Sequence, residues 1–345
     1  MEILWKNGYY DQERAADNQM AANFREKKIF FLEDTGLKFT ITIDNHDVLI
    51  KHFTSPETFG TALCFPFNRG NQMIGCHIPL FTKLYDNNPN TKIAQNMLLG
   101  IGGAKLLEAL NWEPDIYHMN EAHALSGAFY YYEKWKDLQK VKDKFVFTTH
   151  TPVPAGNEVH DITLLDGMSF FGKLELDEVK KISGEEGNAF NHSLAALRIA
   201  HKANGVSKIH GQVARDMWGS FADIAPIGHV TNSQNYKYWA DPELNEALAK
   251  NKDKALIERK REMKKALFQI VADQNGKLFD PDVLTIVWAR RFADYKRADL
   301  ITRDLERFLN LVNNAEKPIQ VIWAGKPYPT DFHAVGTFNH LIKLA

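Results

Sequence analysis

The chain has 345 residues, of which 44% are hydrophobic and 25% are charged, with 42 Lys and Arg against 43 Asp and Glu. This length favours two domains over one. The near-neutral balance argues against a nucleic-acid or membrane-surface binder, because such proteins usually carry a basic excess. With only Cys64 and Cys76, neither a disulfide framework nor a cysteine zinc site is predicted.

The first twenty residues, MEILWKNGYYDQERAADNQM, have neither a basic region nor an apolar stretch, so they do not resemble a signal peptide. No apolar run approaches the length of about 18 residues that a membrane span needs. We therefore expect a soluble, cytoplasmic protein that binds neither membranes nor nucleic acid.

A helix is predicted over Asn96 to Leu110 (NMLLGIGGAKLLEAL), where apolar residues recur at helical spacing. Its glycines indicate close helix packing and not a dinucleotide-binding loop, since no strand precedes them. The preceding stretch, about Asp34 to Asn90, is interpreted as irregular.

Short strands then alternate with helices. PDIYHMN and KFVFTTH are predicted strands on either side of a helix in EAHALSGAFYYYEKW. AALRIAHKANGVSKIHGQVARDMWG is predicted as a helix, a glycine break and a second helix. This alternation is typical of an α/β fold with parallel sheets.

The character of the sequence changes after HVTN. A long, highly charged helical stretch follows, and then two predicted strands, VLTIVWA and IQVIWAG. We place the domain boundary so that residues 1–235 form one domain and residues 236–345 begin another.

A cluster of cations follows the first of these two strands. Arg290, Arg291 and Lys296 lie in ARRFADYKR, and Lys326 follows the second strand in AGKPYP. VLTIVWA is apolar and β-branched, as buried strands are. Residues after the carboxyl end of such a strand line the ligand crevice of an α/β sheet, where Arg and Lys suit a multiply charged anion. The alternatives are a solvated helix start and a plain strand-to-loop turn.

Polar residues also follow the predicted strand PDIYHMN. His118 and His123 are five positions apart, not four as in a helical zinc pair, so no metal site is predicted. Asn120, Glu121 and His123 are better interpreted as groups that face a sugar at the edge of a sheet, with a structural histidine as the alternative. TTHTPVPAGN contributes one more such loop, with His150.

Taken together, these stretches resemble the α-glucan (glycogen, starch and maltodextrin) phosphorylases. The similar motifs run in the family's order: NGYYDQER, LLGIGGAKLLEAL, PDIYHMNEAHA, FTTHTPVPAGN, ANGVSKIHGQVARDMW, HVTN, LFDPDVLTIVWARRFADYKRA and WAGKPYPTDF. VSKIHG followed by ARRFADYKRA and WAGK is the most specific part.

The resemblance implies the glycosyltransferase-B architecture, with two Rossmann-like domains facing a cleft, the second only partly present here. It implies that inorganic phosphate cleaves terminal glucosyl units from an α-1,4-glucan, giving α-glucose 1-phosphate with retention. It also implies pyridoxal 5'-phosphate as cofactor, with its phosphate relaying a proton to the substrate phosphate.

Matching motif to motif carries roles onto particular residues. Arg291 and Lys296 match ligands of the substrate phosphate, with Lys326 beside them, and Arg290 and Tyr295 match groups near the cofactor. The sugar contacts implied by the resemblance are His123, Glu121 and Asn232. His123, Arg291 and Lys296 are the residues expected to take part in catalysis.

The sequence departs from the family after Asn232, where TNSQNYKYW replaces the usual TNG. Both ends look shortened: the family's glycine-rich phosphate loop would precede GYYDQER, and its cofactor-anchoring lysine would lie beyond Ala345. We therefore expect a fragment truncated at both ends, inactive by itself.

Two alternatives remain open at this point. One is a starch or glycogen synthase-like glucosyltransferase that uses a nucleotide sugar, and the other is a non-catalytic glucan-binding fragment. The expected partners are an α-1,4-glucan and inorganic phosphate, and the full-length protein is compatible with a homo-oligomer.

Overall fold

The computed structural model describes residues 2–3, 11–14, 20–23, 33–54, 61–66, 88–328 and 331–345. The strands are β1 (Glu2–Ile3), β2 (Asp11–Arg14), β3 (Met20–Asn23), β4 (Glu33–Ile43), β5 (His46–Thr54), β6 (Thr61–Pro66), β7 (Tyr117–Asn120), β8 (Phe145–Thr149), β9 (Val159–Asp161), β10 (Ala189–Asn191), β11 (Lys202–Gly205), β12 (Ile227–His229), β13 (Leu284–Ala289) and β14 (Ile319–Ala324). The α-helices are α1 (Pro89–Met97), α2 (Gly103–Ala109), α3 (Leu125–Trp135), α4 (Leu138–Lys144), α5 (Ile162–Gly167), α6 (Leu176–Ser183), α7 (His192–Ile199), α8 (Lys208–Trp218), α9 (Tyr236–Trp239), α10 (Pro242–Ala249), α11 (Asp253–Asn275), α12 (Leu305–Val312) and α13 (Phe332–Leu344).

The chain divides into two compact units. Unit 1 comprises Met1–Tyr10 and Phe24–Asn232, and unit 2 comprises Asp11–Asn23 and Ser233–Ala345. Each unit contains a parallel sheet with helices packed on it, so the predicted α/β class is confirmed. Residues 7–10, which begin the NGYYDQER motif, lie outside the described residues, whereas Asp11–Arg14 forms β2 and pairs antiparallel with β3.

The central sheet of unit 1 is parallel throughout, in the order β12-β11-β8-β7. β11 corrects the sequence analysis, which predicted only a glycine break between two helices. Its residues, KANG, have low strand propensity. They form a strand because β8 and β12 pair with them on either side.

A β-hairpin occupies part of the stretch that was interpreted as irregular, and this interpretation was wrong for β4 and β5. The strands pair antiparallel around Asp44 and Asn45, which both have positive φ, 50° and 57°. Two positive φ values match the twist of a tight hairpin. Alternating residues such as Ile41 and Ile43 are buried in the core of unit 1. Residues 55–60 and 67–87 lie outside the described residues.

The glycine-rich helical segment packs closely against α3, as predicted. A π-helical turn, Leu98–Gly102, joins α1 to α2. A side-chain Cβ at Gly100 would lie 2.6 Å from the backbone N of Gly127, and one at Gly127 would lie 2.9 Å from the carbonyl O of Gly100. Only glycine at both positions allows the two backbones to approach so closely.

Unit 2 contains the predicted charged helices and both predicted strands. The helical stretch is divided by Asn251, whose φ is 50°, into α10 and α11. β13 and β14 pair in parallel from Leu284 opposite Ile319 to Ala289 opposite Ala324. The interpretation of β13 as buried was wrong: Leu284 is 64% exposed. Within the described part of the chain, β13 pairs with β14 alone, and Ile286 and Val287 in β13 are also exposed.

Of the helices in the described ranges, none combines the length and the apolar character that a membrane crossing requires.

Candidate functional site

The carboxyl ends of the strands in unit 1 bring three of the predicted sugar-contacting residues to one edge of the sheet. Glu121 follows β7, and its backbone N–H donates to the carbonyl of Thr148 in β8 at 2.9 Å. Asn232 follows β12, and its N–H donates to the carbonyl of Val206, just beyond β11, at 3.0 Å. His123 lies in a short 3-10 turn, Ala122–Ala124, and is exposed. Such an edge is where α/β sheets bind ligands.

Glu121 holds the neighbouring loop. Its backbone has φ 57° and ψ 179°, a conformation that is otherwise almost confined to glycine and costs about 1–3 kcal/mol. Its Oε1 accepts a short hydrogen bond from the backbone N–H of His150 and a 3.1 Å bond from the Thr151 hydroxyl. The structure thus gives Glu121 a positioning contact that the sequence did not reveal, while its role as a sugar ligand stays a prediction.

The two histidines of the YHMNEAHA motif have different surroundings. A ring nitrogen of His118, Nε2, lies 2.7 Å from the Thr148 hydroxyl, which donates to Oδ1 of Asn204 at 2.9 Å. His118 therefore belongs to a polar chain that crosses three parallel strands. His123, in contrast, lies close enough to Glu158 and His192 to influence the pKa of both.

His210, in the VSKIHG motif, is a residue that the sequence analysis did not single out. Its Nδ1 accepts the backbone N–H of Val206 at 3.1 Å, so a neutral ring carries its proton on Nε2. That Nε2 is buried and has no hydrogen-bond partner among the described residues. A His three residues after a helix-capping Ser is the signal that marks this position, because Ser207 Oγ accepts the N–H of His210.

In unit 2, the two predicted cationic loops are joined through their backbones. The N–H of Arg290 donates to the carbonyl of Ala324, and the N–H of Phe292 donates to the carbonyl of Lys326, both at 3.0 Å. A Cβ at Gly325 would overlap the carbonyl of Arg290, so glycine permits this contact. Arg290 and Lys326 therefore follow adjacent parallel strands at the same edge.

Two tryptophans in equivalent positions of β13 and β14 fix the cationic loop, and the sequence analysis missed both. Trp288 and Trp323 are paired in register. Trp288 Nε1 donates to the carbonyl of Lys296 at 3.3 Å, and Trp323 Nε1 donates to the carbonyl of Ala298 at 3.0 Å. The repeated dipeptide WA at the ends of the two strands is the signal that could have identified them.

The charged side chains of this loop differ in exposure. Arg290, Arg291 and Lys326 are exposed, whereas Lys296 is half-buried. Nζ of Lys296 lies 5.5 Å from the centroid of the Tyr295 ring, and Tyr295 is 69% exposed. The loop can therefore offer two guanidinium groups, an ammonium group and an aromatic face to a ligand at the sheet edge.

No protein-family model matches the chain, but comparison with known proteins identifies several relatives. An uncharacterized protein of Methanocaldococcus jannaschii, MJ1631, is 42% identical over 350 residues, covering 99% of this chain. The maltodextrin phosphorylase of Thermococcus litoralis is 30% identical over 388 residues, covering 95% of this chain. The glycogen phosphorylase of Aquifex aeolicus is 28% identical over 320 residues, covering 76%. The chain is a relative of the α-glucan phosphorylases.

The chain spans 65% of the length of the first of these relatives and 46% of the length of each of the two phosphorylases. The shared region with the maltodextrin phosphorylase includes nearly the whole chain, so it includes both sheet edges described above. The predicted resemblance to the α-glucan phosphorylases is thus confirmed, and the roles of individual residues remain predictions.

Proposed function

We propose that the protein is an α-1,4-glucan phosphorylase, in which inorganic phosphate cleaves the terminal glucosyl unit of a maltodextrin or glycogen and forms α-glucose 1-phosphate with retention. The observation that carries the proposal is the pair of cationic loops joined at the carboxyl edge of β13 and β14. Phosphorolysis needs a phosphate site, whereas hydrolysis does not. The relationship to maltodextrin and glycogen phosphorylases supports the same substrates.

Different cations are assigned to the substrate phosphate and to the cofactor phosphate. Arg291 and Lys296 are the proposed ligands of the substrate phosphate, with Lys326 beside them. Arg offers a planar fork that matches two phosphate oxygens, and Lys offers a compact charge. Trp288 Nε1 donates to the carbonyl of Lys296, a contact that orders the backbone of this loop. A preordered site loses less entropy when it binds its ligand.

Pyridoxal 5'-phosphate is the proposed cofactor, and the residues present fit its phosphate group. Arg290 lies on the loop that Gly325 allows to touch the second cationic loop, and Tyr295 presents an exposed ring on the same loop. When bound, the cofactor would supply a phosphate able to exchange a proton with the substrate phosphate. Two phosphates in proximity repel each other, so a surplus of cations is required between them.

The edge of the sheet in unit 1 is the proposed sugar site. His123 and Asn232 are the proposed side-chain contacts, and Glu121 orders the loop at His150. Contacts of this kind accelerate the reaction only where they tighten in the transition state. The cytoplasmic location predicted above rests on the sequence alone and is proposed on that basis.

The test is steady-state kinetics of the full-length protein reconstituted with pyridoxal phosphate, with phosphate and maltodextrin varied separately. Arg291→Ala and Lys296→Ala should each lower kcat/KM for phosphate by about ten- to a hundredfold, as loss of a charge-assisted hydrogen bond predicts. The KM for maltodextrin should change much less. Lys265→Ala, which removes an exposed cation from α11, is the matched control.

Unchanged phosphate kinetics in both loop variants would contradict the phosphate assignment. Equal losses in the Lys265→Ala control would show that the effect is a general consequence of charge. Transfer from a nucleotide sugar without any need for phosphate would favour a synthase-like glucosyltransferase instead.

A further inference from the structure

A cluster of metal-ligating side chains lies in unit 1 on a short antiparallel ribbon, β9 paired with β10. Glu158 and His160 are two positions apart at the start of this ribbon, so their side chains project from the same side. His160 is opposite Phe190 in the pairing register, and His192 follows two residues later. The backbone N–H of His192 donates to the carbonyl of Glu158 at 3.1 Å, which closes the cluster.

The three side chains converge on one point. One ligand atom from each of Glu158, His160 and His192 lies within 4.8 Å of the other two. Nδ1 of His160 and Nε2 of His192 are 2.9 Å apart and share a hydrogen bond, which a bound metal ion would replace. Two nitrogens bound to one tetrahedral zinc ion at the usual bond length of about 2.0–2.1 Å lie about 3.3 Å apart. The imidazoles are therefore close to metal-binding geometry, and the carboxylate needs only a modest inward movement.

Burial fixes the ring of His192 in this position. Its side chain is 1% exposed. It packs edge-on against Phe170 and Phe190, with ring centroids 5.4 Å and 5.1 Å away. Its Nδ1 has no hydrogen-bond partner among the described residues. The other ring nitrogen, Nε2, contacts His160, so the buried ring presents Nε2 to the centre of the cluster.

The protonation states suit a metal ion. Burial lowers the pKa of His192 to about 3 and also lowers the pKa of His160, so both rings are neutral near pH 7. Burial alone would raise the pKa of Glu158, but its ion pair with Lys92 outweighs this and leaves the pKa below its usual value. Neutral imidazoles and an ionised carboxylate are the forms that bind metals.

We propose that Glu158, His160 and His192 form a binding site for a divalent transition-metal ion of the zinc class. Two imidazoles and one carboxylate form a ligand set that zinc and neighbouring first-row metals use, with water completing the coordination. The sequence predicted no metal site, on the spacing of His118 and His123. The present cluster was not foreseen, because His192 lies more than thirty positions after Glu158 and His160 and meets them only through the ribbon. The site stands independently of the proposed phosphorylase activity.

The carboxylate of Glu158 already has a cationic partner, Lys92. Its ammonium forms a close ion pair with Oε1 of Glu158, while Asn96 Nδ2 donates to Oε2 at 3.3 Å. A metal ion must share the carboxylate with this ammonium or displace it. Lys92 is 46% exposed at its side chain, so it can turn towards solvent. Metal affinity should therefore be limited by Lys92 and should increase when that charge is removed.

The test is titration of the full chain, freed of metals by a chelator, with Co²⁺ followed by its visible d–d absorption. The wild type should bind one equivalent, and Zn²⁺ should displace the cobalt. Glu158→Gln and His160→Ala should each weaken binding by at least about tenfold, whereas Lys92→Met should tighten it by about tenfold. His201→Ala is the matched control, since His201 is an exposed histidine of the same unit next to Asp143.

Circular dichroism of each variant separates loss of the site from loss of the fold. Lys92→Met gives an independent outcome, because a merely structural role of the cluster predicts no increase in metal affinity. The absence of a saturable cobalt signal in the wild type would overturn the proposal. So would a signal that survives both ligand variants, one that disappears in His201→Ala, or weaker binding in Lys92→Met.

Discussion

Replacing His192 by methionine should make unit 1 less sensitive to acid. The imidazole is buried against two phenylalanine rings, and burial lowers its pKa from an ordinary 6.5 to about 3. In the unfolded chain the same group takes up a proton as the pH falls below about 6.5. The folded ring remains neutral, so the stability it supports is complete above pH 6.5 and declines as the pH falls. Methionine is apolar and adaptable enough to occupy this site.

The size of the effect follows from the interval between the two pKa values. Each pH unit in that interval removes about 1.4 kcal/mol from the free energy of unfolding. Lowering the pH from 8 to 5 should therefore destabilise unit 1 by about 2 kcal/mol through His192 alone. His160 remains in the variant, and burial lowers its pKa as well, so the stability of the variant keeps a smaller dependence on pH.

Hydrogen exchange of peptides from β8 and α7, measured in a series of urea concentrations at both pH values, reports the unfolding of unit 1 separately from unit 2. A chelator is present so that no metal contributes. His201→Ala, at an exposed position, should behave as the wild type does. If His192→Met loses as much stability as the wild type between pH 8 and 5, the buried-histidine reasoning is refuted.

Three further predictions concern packing, loop order and sugar contact. Gly100→Ala should destabilise unit 1 by about 3 kcal/mol, because α3 leaves no space for a Cβ. Gly167→Ala should be tolerated, because nothing lies within 4 Å of a Cβ at that position. The urea midpoints of the two variants test this difference. Glu121→Ala should speed amide exchange at His150 by about tenfold or more, since it removes a charge-assisted hydrogen bond; unchanged exchange would contradict the positioning contact. In the full-length enzyme, His123→Ala should lower turnover by about tenfold while the absorbance of bound cofactor stays constant. Loss of the cofactor would show that the histidine serves another purpose.

Local patterns predicted much of the fold. The strands at Phe145–Thr149 and Leu284–Ala289 are apolar and β-branched or aromatic, so their sequence and their pairing favour the same structure. The strand Lys202–Gly205 could not be predicted in this way, because its neighbours in the sheet impose its conformation. The hairpin at Asp44 and Asn45 did carry a turn signal between two alternating segments, so it could have been predicted.

The candidate sites, too, could be predicted only in part from the sequence. The cations at Arg290 and Arg291 are adjacent in sequence and follow a strand, so their common location was predictable. The ordering of their loop by Trp288 depends on a hydrogen bond that spans eight positions. The cluster at Glu158 and His192 depends on the pairing of two distant segments, which single-sequence patterns do not reveal.

The product formed from maltoheptaose and inorganic phosphate tests the central proposal most directly. Phosphorus NMR of the full-length protein, supplied with pyridoxal phosphate, should show inorganic phosphate converted into α-glucose 1-phosphate, with the α anomer as the first product. Arg291→Ala should abolish most of this conversion, whereas Lys265→Ala should not. Chain extension from ADP-glucose with no consumption of phosphate, or no formation of a sugar phosphate by the wild type, would contradict the assignment.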